Sequence, residues 1–138
     1  MKPNVVAKIV ADTSVIIAVI TNETLKQRLV NLTYGADIIA PPSLHWEVGN
    51  ALSAMFKRKR IDLKQAMRAI KAYDKIPIKF CDIKMNLALK IADELNIYAY
   101  DAYFIGCASQ FKGTLLSLDK NLLNAAKKYG VKIIEVNA

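Results

Sequence analysis

Apolar residues follow two alternating patterns along this chain, short compact runs and helix-like spacings. The runs Ile9-Val10-Ala11 and Leu115-Leu116 are apolar on consecutive residues, which is typical of strands covered on both faces. Pro77 in the run at 76–80 favours an edge strand there. The pattern predicts five strands, at residues 7–11, 37–40, 76–80, 114–118 and 131–136.

Helical spacing of apolar residues fills the segments between these strands. A hydroxyl or acidic residue opens several of them: Thr24 with Gln27 and Asp62 with Gln65 predict capping boxes, and Ser43 is expected to be an N-cap. Helices are predicted from about residue 14 and over 25–32, 43–59, 63–74, 84–95, 100–111 and 120–128. The residues expected to face inward from the helix at 63–74 are Leu63, Ala66, Met67 and Ile70, and those expected to end the last three helices are Asn96, Gly113 and Gly130. Strands that alternate with helices predict an α/β fold with a mostly parallel central sheet and helices on both faces.

Composition narrows the class of protein. The chain has 138 residues, 54% of them hydrophobic, which fits a single folded domain over residues 1–138. No apolar run approaches the ~20 residues of a membrane span, and no signal peptide is recognisable, so we expect a cytoplasmic protein. Cys81 and Cys107 lie in apolar surroundings and indicate small core residues, not a disulfide or a zinc site.

The formal net charge is +8, from 20 basic and 12 acidic residues. A basic excess of this size attracts polyanions such as nucleic acids, although a solvated basic surface explains it nearly as well. The charge becomes more informative if several of the acids gather at one site, because the remaining surface is then more basic still.

Two acids stand directly after apolar strands. Asp12 follows the strand at 7–11 and Asp119 follows Leu118, and each precedes a predicted helix. Either acid alone is explained as a helix N-cap. Ligands of open parallel sheets bind beyond the carboxyl ends of strands, so two acids in this position favour a shared site.

Two further acids lie on helices beside apolar faces. Glu47 lies on the flank of the stripe formed by Leu44 and Val48, and a Glu that extends into solvent is an equally good interpretation. Asp101 opens the most apolar predicted helix, where the partial positive charge of the helix N-terminus explains its presence but not its inward direction.

Grouped carboxylates repel one another and are costly to bury unless a cation compensates them. Oxygen ligands favour Mg²⁺ or Mn²⁺ over zinc. One or two such ions can activate water for attack on a phosphodiester, and a basic surface around an acidic centre suits a nucleic-acid backbone. The hypothesis from the residues is therefore a metal-dependent nuclease.

Four motifs in this order resemble those of the PIN-domain nucleases, and the length is most similar to VapC-type toxins of toxin–antitoxin pairs. The motifs are Asp12-Thr13-Ser14, Glu47-Val48-Gly49-Asn50, Asp101-Ala102 and Ser117-Leu118-Asp119. The resemblance implies a three-layer α/β/α sandwich. It also implies an Mg²⁺- or Mn²⁺-dependent endoribonuclease that acts on RNA, forms a homodimer and is inhibited by a cognate antitoxin.

The resemblance also assigns residues. It implies that the metal-binding acids are Asp12, Glu47, Asp101 and Asp119. Ser14 matches a hydroxyl near the metal or scissile phosphate, and Ser117 stands where the family more often has Thr. Asn50 matches a polar support for the Glu. Asn121 falls near a position where some relatives have another acid, which leaves one or two metals open.

Two rival functions remain at this point. One is an RNA-binding or assembly module that keeps the fold without cutting, against which the presence of all four acids argues. The other is a phosphoacceptor signalling domain, which needs a lysine partner and one acceptor Asp that we cannot place in this sequence.

Overall fold

The computed structural model describes residues 6–136, in which helices and strands alternate. The strands are β1 (Lys8–Ala11), β2 (Asp37–Ala40), β3 (Ile78–Phe80), β4 (Thr114–Ser117) and β5 (Ile133–Glu135). The helices are α1 (Thr13–Ile20), α2 (Lys26–Thr33), α3 (Ser43–Lys57), α4 (Leu63–Asp74), α5 (Met85–Leu95), α6 (Ala99–Phe111) and α7 (Lys120–Tyr129).

The five strands form one sheet in the order β3-β2-β1-β4-β5, and every neighbouring pair is parallel. In the central register Val10 lies opposite Ile39 of β2 and Leu115 of β4. The predicted fold class is confirmed: the sheet is α/β, parallel and flanked by helices. The proline-containing segment supplies the edge strand β3, as its sequence predicts.

Two groups of helices cover the sheet. Helix α1 packs against α2, α3 and α4, while α5, α6 and α7 pack against one another and α6 lies on β1 and β4. The core between them is almost wholly aliphatic and includes Val10, Ile105, Leu115 and Leu116, each fully buried. None of the helices in residues 6–136 is both long and apolar enough to cross a lipid bilayer.

Several helix ends form as their sequences predict. Asp62 and Gln65 complete both hydrogen bonds of a capping box at the start of α4. Asn96 ends α5 and Gly130 ends α7, each in the left-handed conformation that short polar residues and glycine tolerate best.

Three other local predictions were wrong, because in each case a neighbouring residue occupies the predicted cap position. Thr24 caps nothing; α2 starts after Leu25 without a side-chain cap. Lys112, in the left-handed conformation, ends α6 one residue before Gly113. Ser43 is the first residue of α3 and not its N-cap, which is Pro42.

The buried face of α4 also differs from its predicted stripe. Leu63 and Met67, expected to face inward, are 60% and 53% exposed, and the buried residues are Ala66, Ala69 and Tyr73. Alanines let α4 approach α1 closely, so small residues occupy the contact and the longer side chains lie outside it.

Candidate metal centre

Asp12 lies at the carboxyl end of β1, at the centre of the sheet, and is only 5% exposed. It is also the N-cap of α1: its Oδ1 accepts a hydrogen bond from the backbone N–H of Val15 at 3.2 Å. The strand therefore delivers the carboxylate and the helix N-terminus helps to hold it, so capping and a ligand role are compatible in this residue.

Two serine hydroxyls bind the two oxygens of Asp12. Ser14 Oγ donates to Oδ1 and Ser117 Oγ donates to Oδ2, both at 2.6 Å. Each serine also accepts from a backbone N–H, Ser14 from Leu118 at 3.0 Å and Ser117 from Asp119 at 2.9 Å. Each hydroxyl has one proton to donate, and here it goes to Asp12. These bonds therefore fix the orientation of both serines and of the Asp12 carboxylate.

Asp119 follows β4, the strand beside β1, and its side chain is exposed. Its Oδ1 caps α7 by accepting from the N–H groups of Asn121 and Leu122, at 2.9 and 3.2 Å. The parallel pairing of β1 and β4 places this second acid at the same edge of the sheet as Asp12.

Glu47 and Asp101 approach this edge from two helices, one from each group. Glu47 lies one turn into α3 and Asp101 is the third residue of α6; both are half-buried. Glu47 Oε2 is buried and has no hydrogen-bond partner within residues 6–136. An unpaired buried oxygen of this kind costs about 1–3 kcal/mol, or more when charged.

Three of the four carboxylates have a raised pKa, and a neighbouring acid contributes to each rise. Burial raises the pKa of Asp12, Glu47 and Asp101, and it is the largest cause in each case. The charge of Asp119 adds to the rise in the pKa of Asp12 and Asp101. Asp101 and Asp12 in turn raise the pKa of Glu47. Acids from four elements therefore face one region of the molecule.

Nearby hydroxyls oppose these rises in pKa. Ser117 and Ser14 lower the pKa of Asp12 through their hydrogen bonds to it, and the nearby hydroxyls of Ser43 and Thr13 lower the pKa of Glu47. In neither residue do they outweigh burial. Ionising these carboxylates therefore costs more than it does in water, and a bound cation would offset part of that cost.

The donor set fits a hard divalent cation that keeps part of its water. In the described part of the chain, no three His, Cys, Asp or Glu side chains stand close enough together to form a ready-made cage. Mg²⁺ commonly binds one or two carboxylates directly and others through water. Glu47 Oε2, buried and unpaired, is the oxygen with most to gain from such an ion.

The predicted supporting residues have different outcomes in the structure. Ser14 and Ser117 both lie on Asp12, whereas Asn50 and Asn121 are exposed, and Asn121 contributes only its backbone N–H. Sequence reasoning missed Thr13, whose hydroxyl lies beside Glu47. Its place between Asp12 and Ser14 was the available signal.

Comparison with protein families identifies the class to which this site belongs. A family model described as the PIN domain matches residues 9–128, so the chain belongs to the PIN domain family, and the resemblance of its motifs is confirmed. That family consists of nucleases. No match was found among curated proteins.

Solved structures show the same fold at low sequence identity. PAE2754 from Pyrobaculum aerophilum superposes with a TM-score of 0.72 at 22% identity, over 96% of this chain and 92% of that one. VapBC2 from Rickettsia felis, bound to a promoter DNA fragment, gives 0.71 at 11%, over 94% and 99%. FitAB bound to the IR36 DNA fragment gives 0.66 at 18%, over 92% and 94%.

Proposed function

We propose that this chain is an Mg²⁺- or Mn²⁺-dependent endoribonuclease that acts as the toxin of a VapBC-type toxin–antitoxin pair. The observation that carries the proposal is the convergence of four acids, from β1, α3, α6 and the end of β4, on one edge of a parallel sheet. Membership of the PIN domain family supports nuclease chemistry at that edge.

In this proposal the acids bind the cation and the serines hold the acids. Asp12, Glu47, Asp101 and Asp119 bind it directly or through its water. Ser14 and Ser117 orient Asp12, and either hydroxyl would have to give up its bond to Asp12 in order to donate to a phosphate oxygen. When bound, the cation activates water and stabilises the leaving oxygen of the phosphodiester.

The substrate follows from the charge distribution. With four of the 12 acids gathered at one edge, the rest of the chain has eight acidic and 20 basic residues. Such a surface attracts the phosphate backbone, and the acidic centre then meets it only with its cation in place. We infer RNA as the polymer and the cytoplasm as the compartment from the resemblance to VapC-type toxins.

A cognate antitoxin and a second copy of the chain are the proposed protein partners. The fold similarity to VapBC2 and FitAB supports the antitoxin. Co-expression with the product of a neighbouring small gene, followed by co-purification and loss of cleavage, is the expected result. Sedimentation of the isolated chain at twice 15.3 kDa tests the homodimer.

The enzymatic part is tested by cleavage of a labelled RNA with Mn²⁺, with EDTA and in the Asp12→Asn variant. We expect cleavage only by the unmodified chain with the metal, and at least about a 100-fold loss in the variant. Asp93→Asn, an exposed acid of α5, is the matched control and should cut normally. Cleavage that continues in EDTA contradicts the proposed chemistry.

Binding of the RNA without any cleavage would instead favour the alternative function, a non-cleaving RNA-binding or assembly module. The same labelled RNA distinguishes the two, because its mobility on a native gel reports binding and its length on a denaturing gel reports cutting.

A further inference from the structure

Three buried oxygens beside the candidate metal centre have no hydrogen-bond partner in the part of the chain that the structure describes. They are Thr13 Oγ1, Ser43 Oγ and Glu47 Oε2. Buried polar atoms are normally paired, so an unpaired group of three requires an explanation. The inference drawn from them rests on the proposed function, because it concerns the same site.

Neither hydroxyl is used to cap a helix. Thr13 is the first residue of α1, but Asp12 already supplies the cap by accepting from Val15. Ser43 is the first residue of α3, whose N-cap Pro42 has no side chain able to accept. The helix starts therefore bring both hydroxyls to this region and leave them available.

Both hydroxyls lie close to Glu47. Ser43 precedes Glu47 by one helical turn on α3, a spacing that places the two side chains on the same face. Thr13 reaches it from α1, which packs against α3. Both hydroxyls lie near enough to Glu47 to lower its pKa, but neither makes a hydrogen bond of acceptable geometry to it.

We propose that Thr13 and Ser43 are positioning residues that hold Glu47 in the orientation in which it binds the divalent cation. Each hydroxyl has a proton to donate to the carboxylate, and a carboxylate oxygen can accept more than one such bond. With a cation held by Glu47 and the neighbouring acids, the two hydroxyls would donate to the Glu47 carboxylate and fix its orientation. The unpaired oxygens are then satisfied together with the metal.

The interaction resembles the way in which the serines hold Asp12. There, two hydroxyls from different elements donate to a single carboxylate at 2.6 Å. Thr13 and Ser43 are likewise two hydroxyl residues from different elements beside one carboxylate, but their hydrogen bonds to Glu47 are not formed. Groups that hold a metal ligand in this way commonly change metal affinity by about 10- to 100-fold when removed.

The test is the affinity for Mn²⁺, measured by titration calorimetry or by the electron paramagnetic resonance signal of free Mn²⁺, so that no turnover is needed. Thr13→Val and Ser43→Ala should each weaken Mn²⁺ binding by about 10-fold or more. Thr13→Ser and Ser43→Thr, which keep a hydroxyl, should restore binding to within a few-fold. Circular dichroism melts in EDTA verify that each variant folds.

Two matched controls separate this role from the general loss of a hydroxyl. Ser53→Ala removes a serine on the same helix whose Oγ donates to the carbonyl of Asn50. Thr33→Val removes a threonine of α2 that bonds the carbonyl of Leu29. Both controls should bind Mn²⁺ like the unmodified chain.

The outcomes distinguish this inference from the proposed function. Normal Mn²⁺ affinity in both Thr13→Val and Ser43→Ala, together with a loss in Glu47→Gln, would overturn the positioning role and leave the metal site intact. Absence of Mn²⁺ binding by the unmodified chain would overturn the proposed function itself, and the inference with it.

Discussion

At the scale of single residues, Asp12 combines two roles that the sequence presents as alternatives. It caps α1, and it also offers a buried carboxylate held by Ser14 and Ser117 at the edge of the sheet. A helix N-terminus stabilises negative charge, so the capping bond lowers the cost of keeping this acid ionised. It does not remove that cost, since burial still raises its pKa.

The raised pKa predicts how Asp12 affects stability in the absence of metal. A folded-state pKa above the unfolded value favours the protonated form, so the stabilising contribution is full below the unfolded pKa near 4 and is lost as pH rises through the folded value. Asp12→Asn cannot ionise. We therefore expect the free energy of unfolding of this variant, relative to the unmodified chain, to increase from pH 4 to pH 7.5.

Urea unfolding in EDTA across that pH range measures this difference. The groups facing Asp12 are Asp119 and Glu47, so Asp119→Asn should reduce the pH dependence in part, because the charge of Asp119 contributes to the rise. A difference that is constant with pH would show that Asp12 titrates equally in the folded and unfolded chain.

The two cysteines provide a second prediction at this scale. Both are free; Cys107 is buried, and burial raises its pKa to about 12, whereas Cys81 is partly exposed. Near neutral pH the thiolate population of Cys107 is then about a thousandfold below that of a solvent-exposed thiol with a pKa near 9.

Alkylation of the native chain with iodoacetamide should consequently modify Cys81 first and leave Cys107 intact, and addition of urea should allow both to react. Intact-mass spectrometry counts the modifications and peptide mapping locates them. Fast modification of Cys107 in the native chain would show that its part of the core opens readily.

At the scale of elements, the sheet and its helices are positioned by close contacts that small residues permit. Gly113 connects α6 to β4 where a Cβ would lie 3.1 Å from Val10 Cγ2 and 3.4 Å from the carbonyl oxygen of Lys8. Gly49, within α3, has open space around the same position. The two glycines therefore respond oppositely to an added methyl group.

We expect Gly113→Ala to destabilise the fold by about 1–3 kcal/mol, because buried Val10 would have to shift to admit the added methyl group. Gly49→Ala should stabilise it by about 0.5–1 kcal/mol, because alanine favours a helix interior more than glycine does. Urea unfolding of both variants gives the two values. Effects of equal sign would show that the α6–β4 connection adjusts to the extra volume.

At the scale of the whole molecule, the net charge favours a polyanionic ligand. Four acids face one edge of the sheet while the net charge of the chain is +8. Attraction of the backbone of a nucleic acid to the basic surface depends on displaced counterions, and it therefore weakens with salt.

Binding of a single-stranded RNA by the Asp12→Asn variant should accordingly weaken steeply with salt. Three phosphate contacts correspond to about a 20-fold loss of affinity between 50 and 200 mM salt. Fluorescence anisotropy of a labelled oligonucleotide measures it. An affinity that does not change with salt would show that contacts to bases, and not the basic surface, hold the RNA.

Local sequence was sufficient for most of the elements, and it made Asp12, Glu47, Asp101 and Asp119 candidates for a shared site. Continuous apolar runs are typical of strands buried on both faces. Strands that alternate with helices form a mostly parallel sheet, because each connecting helix returns the chain to the same end of the sheet. Asp12 and Asp119 were recognisable as candidates because both follow apolar strands, at the ends where ligands of parallel sheets bind.

Tertiary structure alone decided which groups meet. The order β3-β2-β1-β4-β5 places β1 beside β4, although about a hundred residues separate them, and thereby joins Ser117 to Asp12. Helix packing selected Ala66 and Ala69 over Leu63 and Met67 for the buried face of α4. The structure also shows that α3 begins at Ser43, with Pro42 as its N-cap. Contacts between elements outweigh the small energies of local preference, which is why such choices are made in the folded chain.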